Sequence, residues 1–314
     1  MPLEGSFASP FAAHSPQAQA IARLFDETLV VCGVIFAVVV TLIALCIVRF
    51  RERGGAIPVQ NPGNRSLEVA WTVGPLLIVT GLLVRTVQTM AASDPAVDRA
   101  PDVAVIAHQW WWEVRYPSGA VTANEIHVPV GRNLLIAVES TDVIHDFWVP
   151  QLARKVDATP GHPTHIWMQA DAPGTYEGTC AEYCGDEHAW MRIAVVAQAP
   201  ADFDAWERHE RDPAATPSSP LALSGLRSFE RLTCVECHDV GGLGALREKP
   251  AVAPDLTHLA ERRTLASGAL LNDGAQLAAW LKEPERFKPG SHMPNLQLTD
   301  AEVTGLVAYL ETLR

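Results

Sequence analysis

The chain has 314 residues, 48% of them hydrophobic, and 24 Lys+Arg against 36 Asp+Glu give a formal charge of −12. That length allows two or three domains, each with a core of its own, and nothing in it argues for disorder. The acidic balance speaks against nucleic acid and for a basic or cationic partner. All of the acidic excess lies beyond residue 90.

The run LVVCGVIFAVVVTLIALCIV, Leu29 to Val48, is uncharged throughout. It has about the 20 residues a helix needs to cross a bilayer. A second apolar run starts at Val69 and meets Arg85, with Glu68 before it; charges at its ends can snorkel to the interfaces and let it span. Spans of about 29–48 and 69–88 are therefore expected within an N-terminal segment 1–91. The alternative for the second is a buried soluble helix. Arg49, Arg51, Arg53 and Arg65 outnumber Glu52 and Glu68 between the spans, which keeps that loop cytoplasmic and puts both termini outside. No basic n-region precedes an apolar core in the first 28 residues, so the first span is expected to serve as the export signal.

From Asp102 to Ala199, short β-rich runs (VAVIAHQWWWEVRY, EIHVPVG, NLLIAVES, HIWMQA, RIAVVAQ) alternate with turn residues. This is the pattern of a small antiparallel sandwich or barrel, bounded at about 100–211. PADFDAWERHE reads as a short amphipathic helix, and DPAATPSSP, residues 212–220, as a linker. Helical patterns return in 221–314, the last opening with Thr299 as N-cap and Glu302 as its capping-box partner.

Cys32 and Cys46 lie inside the first span and read as small packing residues. The other four cysteines fall in the exported part, where a disulfide is the ordinary expectation, but their neighbours favour cofactors. In CAEYCGDEHAWM the spacing is Cys180-x3-Cys184-x3-His188-x2-Met191. Structural zinc has little use for the thioether, and a single blue copper would find one thiolate too many. Two thiolates can instead bridge two coppers, given a second histidine; His145 in STDVIHDFWVP is the best placed. Cys234-Val-Glu-Cys237-His238 is the c-type haem attachment pattern, with His238 as an axial ligand. Met293 in FKPGSHMPN would be the sixth ligand, with His292 beside it as the competitor.

Together EVAWTVGP, QWWWEVRY, DVIHDFWVP, KVDATPG and CAEYCGDEHAWM resemble subunit II of haem–copper cytochrome c oxidases over nearly the whole chain. The resemblance implies a multidomain membrane protein: a two-helix transmembrane hairpin, a cupredoxin-like β-sandwich and an all-α class I cytochrome c domain. It implies His145, Cys180, Cys184, His188 and Met191 as ligands of dinuclear copper (CuA), with Glu182 giving its carbonyl. The Glu182 carboxylate would bind a magnesium ion shared with subunit I. Trp110 would pass electrons to the copper from a docked cytochrome c; in a strand it shares a face with Trp112, and its exposure is plausible on that reading. Glu68 would stand at the cytoplasmic mouth of a proton channel in subunit I, or simply cap the second span. The extension resembles the caa3 type, in which haem c would feed CuA and then subunit I, where oxygen is reduced to water with proton translocation. A bacterial plasma membrane, other oxidase subunits and cytochrome c or another donor are the implied setting. Two alternatives use the same residues: a module of another reductase, such as a nitric oxide reductase, and a copper-storage or assembly protein.

Overall fold

The computed structural model describes residues 9–51, 54–55, 60, 62–94, 99–241 and 252–314. Glu52 and Arg53 of the basic loop lie outside the described residues, as do residues 1–8 of the N-terminal stretch. The chain divides into two units, Gln19–Ser93 and the remainder.

The first unit is helical. Helix α1 (Pro16–Arg49) and helix α2 (Arg65–Ser93) are both long and apolar enough to cross a membrane. Their apolar side chains, Phe36, Leu42, Leu76 and Leu83 among them, are exposed rather than packed inside the chain, as expected of surfaces solvated by lipid or by other subunits. This sets aside the buried soluble helix for the second run. Asn64 accepts from the amides of Ser66 and Leu67 at the start of α2, capping two of the orphaned N–H groups there. Glu68 lies exposed in the first turn of α2, a favourable place for a carboxylate next to the helix dipole. Near the opposite end, Arg85 grips Glu27 of α1 through two bonds of 2.8 Å, which pairs the charge that sequence reading left to snorkel.

In the second unit ten strands form a sandwich of two five-stranded sheets. One holds β1 (Val103–His108), β2 (Trp111–Arg115), β3 (Val121–Ala123), β5 (Leu134–Ser140) and β8 (Thr164–Met168) in the order β3-β2-β1-β5-β8. The other holds β4 (Glu125–Pro129), β6 (His145–Trp148), β7 (Val156–Ala158), β9 (Gly174–Cys180) and β10 (Arg192–Gln198) in the order β4-β10-β9-β6-β7. Trp112, Ile126, Ile136, Phe147, Ile166 and Ile193 are fully buried between the sheets, as alternation on two facing sheets requires. The sheets are not purely antiparallel: β1 runs parallel to β5, and β10 to β4. The run VAVIAHQWWWEVRY is also two strands, turning at Gln109 and Trp110.

Helix α3 (Pro200–His209) closes the sandwich by stacking Trp206 flat on His127 of β4, 4.0 Å between centroids. The chain from 212 to 219 lies on the third domain, where the Ala215 amide donates to the C-terminal Arg314 carbonyl. Beyond it come helices α4 (Pro220–Arg231), α5 (Gly274–Lys282), α6 (Pro284–Phe287) and α7 (Asp300–Leu310), with a two-rung ladder of β11 (Thr264–Leu265) and β12 (Leu270–Leu271). The capping box of Thr299 and Glu302 forms in both directions. Helices α4 and α7 cross so closely that a Cβ on Gly225 would sit 1.9 Å from the Gly305 carbonyl oxygen. Only glycine permits that crossing.

Candidate metal centres

His145 opens β6, Cys180 ends β9, and the loop that follows turns back through a 3-10 turn (His188–Trp190) into β10. Because β6 pairs with β9, Phe147 lies opposite Cys180, and the sheet itself carries His145 to the loop. Cys180 Sγ is 3.9 Å from His145 Nδ1, 3.7 Å from Cys184 Sγ and 3.2 Å from the Glu182 carbonyl oxygen. Cys184 Sγ is in turn 3.7 Å from His188 Nδ1 and 3.9 Å from Met191 Sδ. Two imidazole nitrogens, one thioether and one carbonyl thus surround two adjacent sulfurs. The sulfurs are not joined by a disulfide.

Two features fit this cluster to copper. His145 is fully buried, and its Nε2 donates to Asp142 Oδ1 at 2.8 Å, so that Nδ1 is the nitrogen turned to the sulfurs. Such a carboxylate behind a ligand histidine fixes the tautomer and strengthens the ligand. The two thiols also share a proton unequally. Contact with Cys184 pulls the Cys180 thiol down, while contact with Cys180, followed by burial, pushes Cys184 up. Two neighbouring sulfurs cannot both ionise cheaply without a cation, and metal ions supply one.

The loop is clamped from the β1–β2 turn. Gln109 Nε2 and Trp110 Nε1 both donate to the Cys184 carbonyl, at 2.7 and 3.0 Å. Gly185 follows with φ +120°, and a Cβ there would lie 2.9 Å from the Trp110 ring, so a glycine is needed for both reasons. Trp112 packs edge-on to His145 and Phe147, and Trp111 stacks on His108.

Trp110 departs from expectation. It stands in the turn rather than in a strand, and it is only 8% exposed. The third domain covers it. His292 sits with its ring centroid 4.8 Å away, and the Trp110 carbonyl accepts from Ser267 Oγ at 3.0 Å and Lys288 Nζ at 3.2 Å. Lys288 also pairs with Glu187 of the loop between β9 and β10 at 2.7 Å, the two side chains being 6% and 2% exposed. Burial pushes the Glu187 carboxyl up and the Lys288 ammonium down. Asp142, Gln109, Ser267, Lys288 and Glu187 were not singled out by sequence reading. Only Asp142, three residues before His145, carried a local signal.

In the third domain Cys234, Cys237 and His238 occupy one turn after α4, where the amides of Cys237 and His238 both donate to the Cys234 carbonyl. His238 Nδ1 donates to the Pro254 carbonyl at 2.7 Å, which would leave Nε2 as the nitrogen to face a haem iron. Met293 is half-buried against the apolar core of Phe229, Leu306 and Tyr309. The chemistry of this donor set, two thiols, an imidazole and a thioether, suits a covalently held haem with histidine and methionine ligands. Residues 242–251 between these parts lie outside the described residues. A second cluster, His209, His258 and Glu261, lies where α3 meets the third domain, with His209 Nε2 3.1 Å from Glu261 Oε1.

The chain matches three family models: the transmembrane domain of cytochrome c oxidase subunit II at residues 9–87, its periplasmic domain at 118–198, and cytochrome c at 222–314. Cytochrome c oxidase subunit 2 of Alkalihalophilus pseudofirmus is 33% identical over 95% of this chain and 89% of its own length. This chain belongs to the cytochrome c oxidase subunit II family. The same subunit of Bacillus subtilis is 32% identical over 85% of this chain and 81% of its own. The solved periplasmic domain of subunit II from Bradyrhizobium japonicum is 29% identical, covers 36% of this chain and 96% of its own, and superposes with a TM-score of 0.35. The chain is thus the membrane-bound subunit at which electrons enter a haem–copper oxidoreductase, with a cytochrome c domain fused behind its β-sandwich. Copper and haem are the cofactors these modules imply.

Proposed function

We propose that His145, Cys180, Cys184, His188 and Met191, with the Glu182 carbonyl, hold a dinuclear CuA centre, and that Cys234, Cys237, His238 and Met293 hold haem c. The observation that carries this is the connected cluster of donors centred on Cys180 and Cys184, every link 3.9 Å or shorter. Bound there, the copper pair supplies a one-electron carrier whose charge is spread over two nuclei and two thiolates. The chain's part is to keep the donors still. Strands β6 and β9 fix His145 against Cys180, Asp142 holds the His145 ring, and Gln109 and Trp110 hold the Cys184 carbonyl. Held this way, the donors of a bound copper pair would need to move little when an electron arrives.

The order of transfer runs from a cytochrome c-type or other donor to the third domain, then to the copper loop, then to subunit I, where oxygen is reduced and protons are moved. Both termini and both cofactor domains face the outside of a bacterial plasma membrane, a reading supported by the excess of arginine in the loop between the spans. The exposed Glu182 carboxylate takes part in a magnesium site completed by subunit I. Glu68 serves as a proton-collecting group at the cytoplasmic face. The domain limits are 1–91 for the N-terminal segment with the hairpin, 100–211, a linker at 212–220, and 221–314.

Cys184→Ser in the assembled oxidase tests the copper assignment. The expected result is loss of the electron paramagnetic resonance signal of one electron shared by two coppers, with the haem c absorbance retained. A surviving mixed-valence signal would rule out Cys184 as a bridge.

A further inference from the structure

The Trp110 face of the sandwich is not open to a visiting protein. Three side chains of the third domain reach it: Ser267 and Lys288 donate to the Trp110 carbonyl, and His292 lies against the indole. The contact continues along the sandwich, where the Arg263 amide donates to Glu125 Oε1 at 2.9 Å and the Arg263 guanidinium pairs with Glu177 at 3.5 Å. Among these contacts one stands apart. Lys288 and Glu187 are both nearly fully buried, and each is the other's counter-charge across the seam.

We propose that Lys288 is a positioning residue whose pairing with Glu187 latches the third domain over Trp110, closing that face to external donor proteins and keeping His292 and Trp110 in line between Met293 and Cys184. This rests on the copper and haem assignments above. The step served moves one electron from ferrous haem to the oxidised copper pair and neither atom nor proton, so what the chain must supply is proximity and a fixed contact. His292 provides it from the position next to Met293. Trp110 passes it on, since its indole nitrogen bonds the carbonyl of Cys184. A donor protein must then deliver its electron on the third domain itself. A buried ion pair suits a latch because a lone charge left in a dry seam is strongly unfavourable, whereas an apolar pair of similar volume can replace both.

The test uses the assembled oxidase. Haem absorbance and the copper resonance spectrum are recorded first; their absence from the wild type would break the cofactor assignment and leave the latch aside. With both present, hydroxyl-radical footprinting and peptide mass spectrometry measure the oxidation rate of Trp110. Lys288→Glu should raise it several-fold with both spectra retained, and Glu187→Gln, which keeps the shape but leaves Lys288 unpaired, should move it the same way. Lys288→Met combined with Glu187→Leu should restore protection, and with it fast reduction of copper after flash reduction of haem. Equal oxidation of Trp110 in the wild type and Lys288→Glu overturns the proposal, as does a double variant as open as Lys288→Glu.

Discussion

In the β-sandwich the proposed copper donors are buried or half-buried and already in mutual reach, while in the third domain Cys237 is exposed, Cys234 and His238 are half-buried, and Met293 leans on an apolar core. The first site is a loop held between hydrogen-bonded strands that carry His145 and Cys180, and those strands need no metal to hold their register. The second is a turn at Cys234–His238 and a loop at Met293, proposed to hold a large flat group. A sheet can pre-form a small cluster, but a few short helices around a haem depend on that haem for part of their core, much as small metal domains draw folding energy from their ligand.

The largest effect that follows is on the third domain. Cys234→Ala with Cys237→Ala should abolish covalent haem and leave residues beyond 220 open to protease, while the copper signal persists. Haem staining and limited proteolysis of the assembled oxidase read both. A protease-resistant third domain without haem would mean that Phe229, Leu306, Tyr309 and the close crossing at Gly225 suffice, and the contrast between the two sites would disappear.

A smaller effect is expected on the copper side. Asp142→Asn keeps the shape behind His145 but removes the charge, and changes of this kind behind a ligand histidine lower metal affinity by about 10- to 100-fold. Competition with a copper chelator measures it, with haem absorbance as the unaffected reference. Unchanged copper affinity would mean that burial alone orients His145.

The same contrast explains what could be read in the sequence. The spacing of Cys180, Cys184, His188 and Met191 and the motif at Cys234 are local, because each set lies in one loop, and the two apolar runs and the Thr299 capping box are local too. His145 was reached only by asking what completes the loop. Trp110 was misjudged because a run of three tryptophans reads as a continuous strand, whereas Gln109 and Trp110 turn the chain and tie down the Cys184 carbonyl. Its burial depends on Ser267, Lys288 and His292, more than 150 residues away. No periodicity in either segment records which surface will cover which, so contacts across the seam could not be derived from pattern alone.

Glu210 gives the smallest and most specific test of that seam. It ends α3 and is buried, and burial raises its carboxyl to about 7. Arg262 pulls the other way, while Glu261, Asp255 and Glu125 add to the rise, so neighbours from both the sandwich and the third domain set its charge. The folded state binds this proton more tightly than the unfolded chain, where the ordinary value is 4.5. The stability it contributes is therefore complete below about 4.5 and is lost as pH rises through about 7. Glu210→Gln cannot titrate: it should melt close to the wild type at pH 5 and above it at pH 8, the gap opening by at most about 1.4 kcal/mol per pH unit between. Combined with Lys288→Glu the gap should shrink, because lifting the third domain lets water reach Glu210 and removes the Asp255 and Glu261 charges. A gap that survives the opened seam would assign the burial of Glu210 to the sandwich alone and separate the two regions more sharply than their contacts do.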